Sequence, residues 1–121
     1  MILQKKSLDG LVVLSVNYNE LMEKLKKISS EIKYKVPAVR KIFLFGSFAK
    51  GNYTPESDVD ILVILDKCEV PFIERRDIFV DFFDDVPFDL NIFVYTYDEI
   101  KKMFEEGNFF IRNVLSEAIE I

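Results

Sequence analysis

Residues 45–63 read FGSFAKGNYTPESDVDILV, and the fold turns on what flanks and fills that stretch. Lys41 to Phe45 (KIFLF) is a short, continuously apolar run, and Val59 to Leu65 (VDILVIL) is another. Runs of this length between turn residues predict central strands covered on both faces. The loop joining them carries Gly46, Ser47, Gly51 and Pro55 and leaves room for one helical turn. Asp58 and Asp60 stand two apart at the start of the second strand, so their side chains project from one face with Cα atoms roughly 6.6 Å apart. Two carboxylates facing the same way repel each other unless a cation sits between them. Mg²⁺ suits the place, because it takes hard oxygen ligands and keeps room for substrate phosphates. Upstream, Gly46 allows close backbone approach, Ser47 offers a hydroxyl and an N–H to a phosphate oxygen, and Lys50 supplies a point charge for the same phosphates. Together these residues describe a pocket for a polyphosphate and a metal.

Working outward, Asp9-Gly10 between Leu3–Leu8 and the β-branched run Leu11–Val16 is a two-residue hairpin signal. From Asn17 the period changes, and Leu21, Leu25, Ile28 and Ile32 fall on one helical face. Asn17 with Glu20 forms a capping box, Glu20/Lys24, Glu23/Lys27 and Glu31/Lys35 are favourable i,i+4 pairs, and the helix should stop before Pro37. After the two strands, Pro71 can take the first position of a helix in which Phe72, Phe79, Phe83 and Val86 share a face, ending near Pro87. Phe88 to Tyr95 (FDLNIFVY) reads as a third core strand. Thr96 with Glu99 is a capping box for a helix that Gly107 closes, and Asn108 caps a last helix bearing Phe110, Val114 and Ala118. Arg75 and Arg76 are expected in surface ion pairs, and Cys68 as a small apolar filler. Residues 1–16 form an extension and residues 17–121 one domain, with the order hairpin, α, β, β, α, β, α, α.

Asp89 interrupts the third strand, and an Asp in a core strand is expensive to bury without a partner. If that strand lies beside the one carrying Asp58 and Asp60, three carboxylates surround two metal ions about 3.5 to 4 Å apart. Asp89 would then be a metal ligand or the general base toward a nucleophile.

With 121 residues, half of them apolar, the chain fits one domain with a real core. It lacks a membrane-length apolar run and a signal-peptide pattern, which makes a cytoplasmic location the default expectation. The single cysteine excludes an internal disulfide, and the absence of histidine points any metal chemistry toward carboxylates. Residues 1–50 carry a balance of +6 and residues 51–121 a balance of −11, giving the net charge of −5. An acidic chain of this kind is a poor non-specific binder of nucleic acid and a better host for a divalent cation.

The motif resembles the signature of the nucleotidyltransferase (DNA polymerase beta-like) superfamily: Gly46-Ser47, ten residues, then Asp58-Val59-Asp60. Through Ala49, Gly51 and Ser57 it also matches the fuller pattern of the minimal nucleotidyltransferase (MNT) subfamily, a coincidence arising by chance in roughly one in 10⁴ chains of this length. The resemblance covers about residues 20–120, places the third family carboxylate on Asp89, and includes a closing segment, EEGNFFIRNVLSEAI. It implies an α/β (α+β) palm fold, a small mixed sheet backed by helices on one face. It implies Asp58, Asp60 and Asp89 as catalytic and metal-binding residues, Gly46, Ser47, Lys50 and Ser57 as nucleotide-binding ones, and two Mg²⁺ ions. By the same resemblance the activity is transfer of a nucleoside monophosphate, AMP from ATP, to a hydroxyl acceptor. Minimal members pair with a helical HEPN-type toxin as the antitoxin of a toxin–antitoxin system, and some modify that toxin. Two alternatives accompany this expectation: a steric antitoxin that only covers its partner, and a small-molecule nucleotidyltransferase whose acceptor site is built across a homo-oligomer. Apolar residues of the hairpin, or those around Phe109 and Ile111, are candidates for the partner contact.

Overall fold

In a computed structural model describing residues 1–121, the first two strands, β1 (Leu3–Leu8) and β2 (Leu11–Val16), form an antiparallel hairpin apart from the main sheet. Asp9 (φ 48°) and Gly10 (φ 84°) make its turn, both in the left-handed region that such a two-residue connection requires. The base of the hairpin is tied down where the Asn17 N–H donates to the Ile2 carbonyl at 2.7 Å. Its outer part stands in solvent, with Leu8, Leu11, Val12, Val13 and Leu14 all exposed.

Helix α1 (Tyr18–Lys35) starts on Asn17, whose Oδ1 accepts the Glu20 N–H at 3.1 Å, and ends before Pro37. The cap is only half of a capping box, since the Glu20 carboxylate pairs instead with the Met1 ammonium at 2.9 Å. Of the three predicted i,i+4 pairs, Glu31–Lys35 forms at 2.9 Å, while Lys24 reaches Asp85. Leu21, Leu25, Ile28 and Ile32 are buried as their spacing requires.

The main sheet has the order β5-β4-β3-β6, with β3 (Val39–Phe45) antiparallel to β4 (Val59–Leu65), and β4 parallel to β5 (Leu90–Thr96). A short strand absent from the sequence reading, β6 (Ile119–Glu120), pairs antiparallel with Phe43 and Leu44. Between β3 and β4 lies the expected single turn, α2 (Ser47–Lys50). Helices cover both faces of the sheet rather than one. Ile42, Leu44, Ile61, Val63, Ile92 and Val94 pack with α1, Phe79 and Phe83 on one side. Leu62, Ile64, Ile100, Ile111 and Val114 pack on the other, beneath α4 (Tyr97–Glu105) and α5 (Phe109–Glu117). Each strand alternates between these two layers, and this is why β4 reads as an unbroken apolar run.

Pro71 precedes α3 (Phe72–Phe79) as its cap residue, and a 3-10 turn, Val80–Phe83, follows. Phe79, Phe83 and Val86 are buried, whereas Phe72 stays half exposed and stacks on Tyr95 at 4.9 Å. Asn108 and Thr96 cap α5 and α4 as expected, Thr96 and Glu99 in a reciprocal box. Helix α5 ends one residue short of Ala118; Ile111, expected at a partner contact, is fully buried, and Phe109 is exposed. No helix is long and apolar enough to cross a membrane.

Arg75 departs most from expectation. It is buried, with its Nε donating to the Val70 carbonyl at 2.8 Å and Nη1 to the Val94 carbonyl at 3.3 Å. Its guanidinium also meets Glu99 at 2.6 Å and 3.3 Å through both nitrogens, so one side chain ties α3, β5 and α4 together. The Arg75 hydrogen bond holds the Glu99 carboxyl below its ordinary value of 4.5, outweighing the opposing effect of burial. A group of depressed pKa stabilises the fold above its unfolded value and loses that contribution as the pH falls through its folded value. Loss of a partner from a fully buried pair costs roughly 3–5 kcal/mol, and with Glu99 still 40% exposed we expect Arg75→Met to cost about 2 kcal/mol. Urea unfolding at pH 7 measures this cost. The same titration at lower pH should show the wild type's advantage over the variant beginning to shrink as the pH drops below the ordinary value of 4.5, and the Glu99 share of it gone only at a lower pH, where Glu99 in the folded protein takes up its proton.

Candidate active site

The chemistry-bearing residues meet where β3 ends and β4 and β5 begin. Parallel pairing sets Asp60 directly beside Asn91, and both lie on the side of the sheet that α5 covers. The Asn91 Nδ2 donates to Asp58 Oδ2 at 3.2 Å and to Asp60 Oδ1 at 2.9 Å, so the two carboxylates converge on one point. Burial raises the Asp60 pKa above its ordinary value; the Asn91 hydrogen bond lowers it, and the negative charges of Asp58 and Glu117 raise it further. A half-buried carboxylate with acidic neighbours gains from any positive group brought to it.

Gly46 lies against this pair. Its φ of 75° with ψ of −155° belongs to a region that only glycine occupies readily. A Cβ placed there would fall well inside contact distance of Asp60 Oδ2 and 3.1 Å from its Cγ. Glycine is therefore needed here to admit Asp60 itself, in addition to any room it leaves for a phosphate. Ser47, half-buried, opens α2 beside it. An aromatic column holds the following loop: Tyr53 stacks on Tyr18 at 5.4 Å and on Phe48 at 4.9 Å, and Phe48 meets Phe88 at 4.9 Å.

The remaining sequence candidates divide. Ser57 closes the loop, its Oγ accepting the Thr54 N–H at 2.8 Å and its own N–H donating to the Thr54 carbonyl at 3.0 Å. Lys50 is engaged by Glu117 at 2.9 Å. Asp89 lies outside β5, in the exposed turn before it, and its carbonyl accepts the Val59 N–H at 2.8 Å. Its exposure removes the burial cost that had singled it out. With Glu56, Ser57 and Phe88, Asp89 lines an open groove of about 490 Å³, and no three acidic side chains gather into one metal-binding group. Two residues join the site that the motif did not announce. Asn91 was visible as the polar residue facing the same way as Asp89 in an otherwise apolar strand. Glu117 had no local signal, because only the C-terminal pairing with β3 brings it across.

The donor set fits Mg²⁺: two converging carboxylates, all-oxygen chemistry, and coordination positions left for water and phosphate. Asp58 and Asp60 would hold one ion in this arrangement.

We expect Gly46→Ala to destabilise the fold by about 1–3 kcal/mol through its backbone conformation, with a steric addition from Asp60. In an Asp60→Ala background the steric part should vanish and the backbone part remain, a coupling that urea unfolding of the four proteins reads directly. Asp60→Asn alone should leave the thermal midpoint unchanged or raise it, since it removes a desolvated charge among like charges.

Residues 25–121 match the family model described as Nucleotidyltransferase domain. A stretch of 52 residues is 48% identical to "Putative protein adenylyltransferase MJ1379" of Methanocaldococcus jannaschii, covering 43% of this chain and 48% of that relative, so the chain matches about half its length. The fold is similar to the crystal structure of "a putative nucleotidyltransferase from Sulfolobus solfataricus", with a TM-score of 0.61 at 20% identity over 85% of this chain and 80% of that one. It is also similar to a "toxin-antitoxin with AMP-PNP" structure, with a TM-score of 0.51 at 18% identity over 87% and 72% of the two chains. The family match spans the sheet, the glycine turn and both motif aspartates, and the chain belongs to the nucleotidyltransferase domain family.

Proposed function

We propose that this protein is a Mg²⁺-dependent adenylyltransferase that moves AMP from ATP to a hydroxyl on a helical, HEPN-type toxin partner, acting as the antitoxin of the pair. The observation that carries this reading is the convergence of Asp58 and Asp60 on one point beside the Gly46 turn. The adenylyltransferase part draws on the relative from M. jannaschii and the partner part on the toxin–antitoxin structure of similar fold.

When bound, Mg²⁺ would neutralise phosphate charge and lower the pKa of the attacking hydroxyl. Asp58 and Asp60 hold the reacting end at the mouth of the sheet, and Asn91 keeps the two carboxylates together. The acceptor oxygen bonds to the α-phosphorus of ATP, the bond to pyrophosphate breaks, and the hydroxyl proton leaves to a base. Asp89, on the exposed rim of the neighbouring groove, is our candidate for that base. Ser47, beside the Gly46 turn, would face the phosphates, and Lys50 would join it on leaving Glu117. The groove that Asp89 lines is open to solvent, so orientation of the incoming hydroxyl would fall to the partner.

Mixing the chain with its helical partner, Mg²⁺ and ATP should add one or more AMP units to the partner's intact mass. Asp58→Asn and Asp60→Asn should each lower the rate by about 100-fold or more while leaving partner binding intact. A partner that is inhibited yet never modified would sink the enzymatic reading in favour of steric cover. Modification of a small hydroxyl compound without any partner would relocate the acceptor.

A further inference from the structure

Glu117 ends α5, yet its carboxylate lies in the turn between β3 and α2. Oε1 accepts the Gly46 N–H at 3.2 Å, and Oε2 pairs with the Lys50 ammonium at 2.9 Å. The side chain is 22% exposed, so the contact is sheltered rather than a loose surface pair. A clasp just beyond it sets its place. Glu120 and Ile119 pair with Phe43 and Leu44, the Ile121 N–H donates to the Ile42 carbonyl at 3.0 Å, and the Ile121 oxygen accepts the Ser29 hydroxyl at 3.0 Å. Ile111 and Val114 anchor the helix from the other end. The carboxylate is thus delivered to Gly46 by a rigid support on both sides.

Gly46 is also the residue whose backbone conformation leaves space for Asp60. A rotation of the Gly46 peptide would alter the wall against which the Asp60 carboxylate rests, and the Glu117 hydrogen bond opposes that rotation. We propose that Glu117 is a positioning residue for AMP transfer, acting through the Gly46 N–H to fix Asp60. This rests on the reading of the site as an adenylyltransferase centre. Its bond to Lys50 is a separate contact, and the lysine's freedom to leave it is a matter of nucleotide affinity.

Three variants separate the two contacts. Glu117→Gln keeps a carbonyl acceptor for Gly46 and loses the ion pair; Lys50→Met loses the ion pair alone; Glu117→Met keeps the chain length and loses both. The readouts are the Gly46 amide proton resonance of the full chain and the kcat and KM of AMP transfer with the partner present. We expect the Gly46 resonance to move upfield most in Glu117→Met and less in Glu117→Gln, whose neutral carbonyl is a weaker acceptor than the carboxylate. In Glu117→Met kcat should fall about 10-fold to 100-fold, the size of effect that a small misplacement of a reacting group produces. Glu117→Gln should retain kcat within about threefold, and Lys50→Met should change KM more than kcat. Thermal unfolding checks that all three variants are folded.

An unmoved resonance in Glu117→Met overturns the proposal, and so does a moved resonance with wild-type kcat. Glu117→Gln as impaired as Glu117→Met overturns it as well, since charge and not the hydrogen bond would then matter. A wild-type protein that transfers no AMP defeats the adenylyltransferase reading instead, and the Gly46 resonance still decides whether Glu117 holds the turn.

Discussion

Strand β4 is bonded along both edges and buried on both faces, and every other part of the main domain is arranged around it. Its odd-numbered residues, Ile61 and Val63, face α1; its even-numbered ones, Leu62 and Ile64, face α4 and α5. A strand so enclosed cannot slip by one residue, because slippage would exchange its two core layers at once. The register brings Asp60 to the mouth of the sheet beside Asn91 on β5 and opposite Phe45 on β3. The precision of the site is inherited from the packing of a strand whose other residues have no chemistry.

Around that mouth the acidic side chains are hydrogen-bonded, but only one of them is paired with a cation. Asp58 and Asp60 share the amide of Asn91, while Glu117 takes the Gly46 N–H and the Lys50 ammonium. Each carboxylate has a donor, yet Asp60 keeps a raised pKa because burial and two like charges exceed what one amide returns. The site is a polar network that is hydrogen-bonded and still electrostatically short of positive charge, so a cation brought to it would relieve the repulsion between its carboxylates.

The hairpin, the three long strands of the main sheet, most helix boundaries and the Asp58–Asp60 pair were legible because each is written in adjacent residues, through periodicity, caps or a short spacing. Helix α1 shows how far this goes: its buried face and its Asn17 cap are local facts, but Glu20 turned to Met1 and Lys24 to Asp85, partners that no spacing rule names. Arg75 was misread for the same reason. A charge on a helix is most often solvated, and only the approach of β5 and α4 makes this one a buried tie. The third core strand was expected to begin at Phe88, but β5 begins at Leu90, so Asp89 precedes the strand rather than interrupting it. The helices on the second face and the strand β6 follow from how the chain returns, which the order of elements did not specify.

The pairing of β6 with β3 joins residues more than seventy positions apart, since Phe43 meets Glu120. Closing a loop of that length costs chain entropy before the contact repays it. The hairpin, α1 and the β3–β4 pair can assemble from neighbouring residues, and on a ribosome they emerge first. Glu117 can reach Gly46 only once α5 has packed and β6 has found its edge. Until α5 and β6 have docked, the chain carries both motif aspartates without the Glu117 hydrogen bond to the glycine turn.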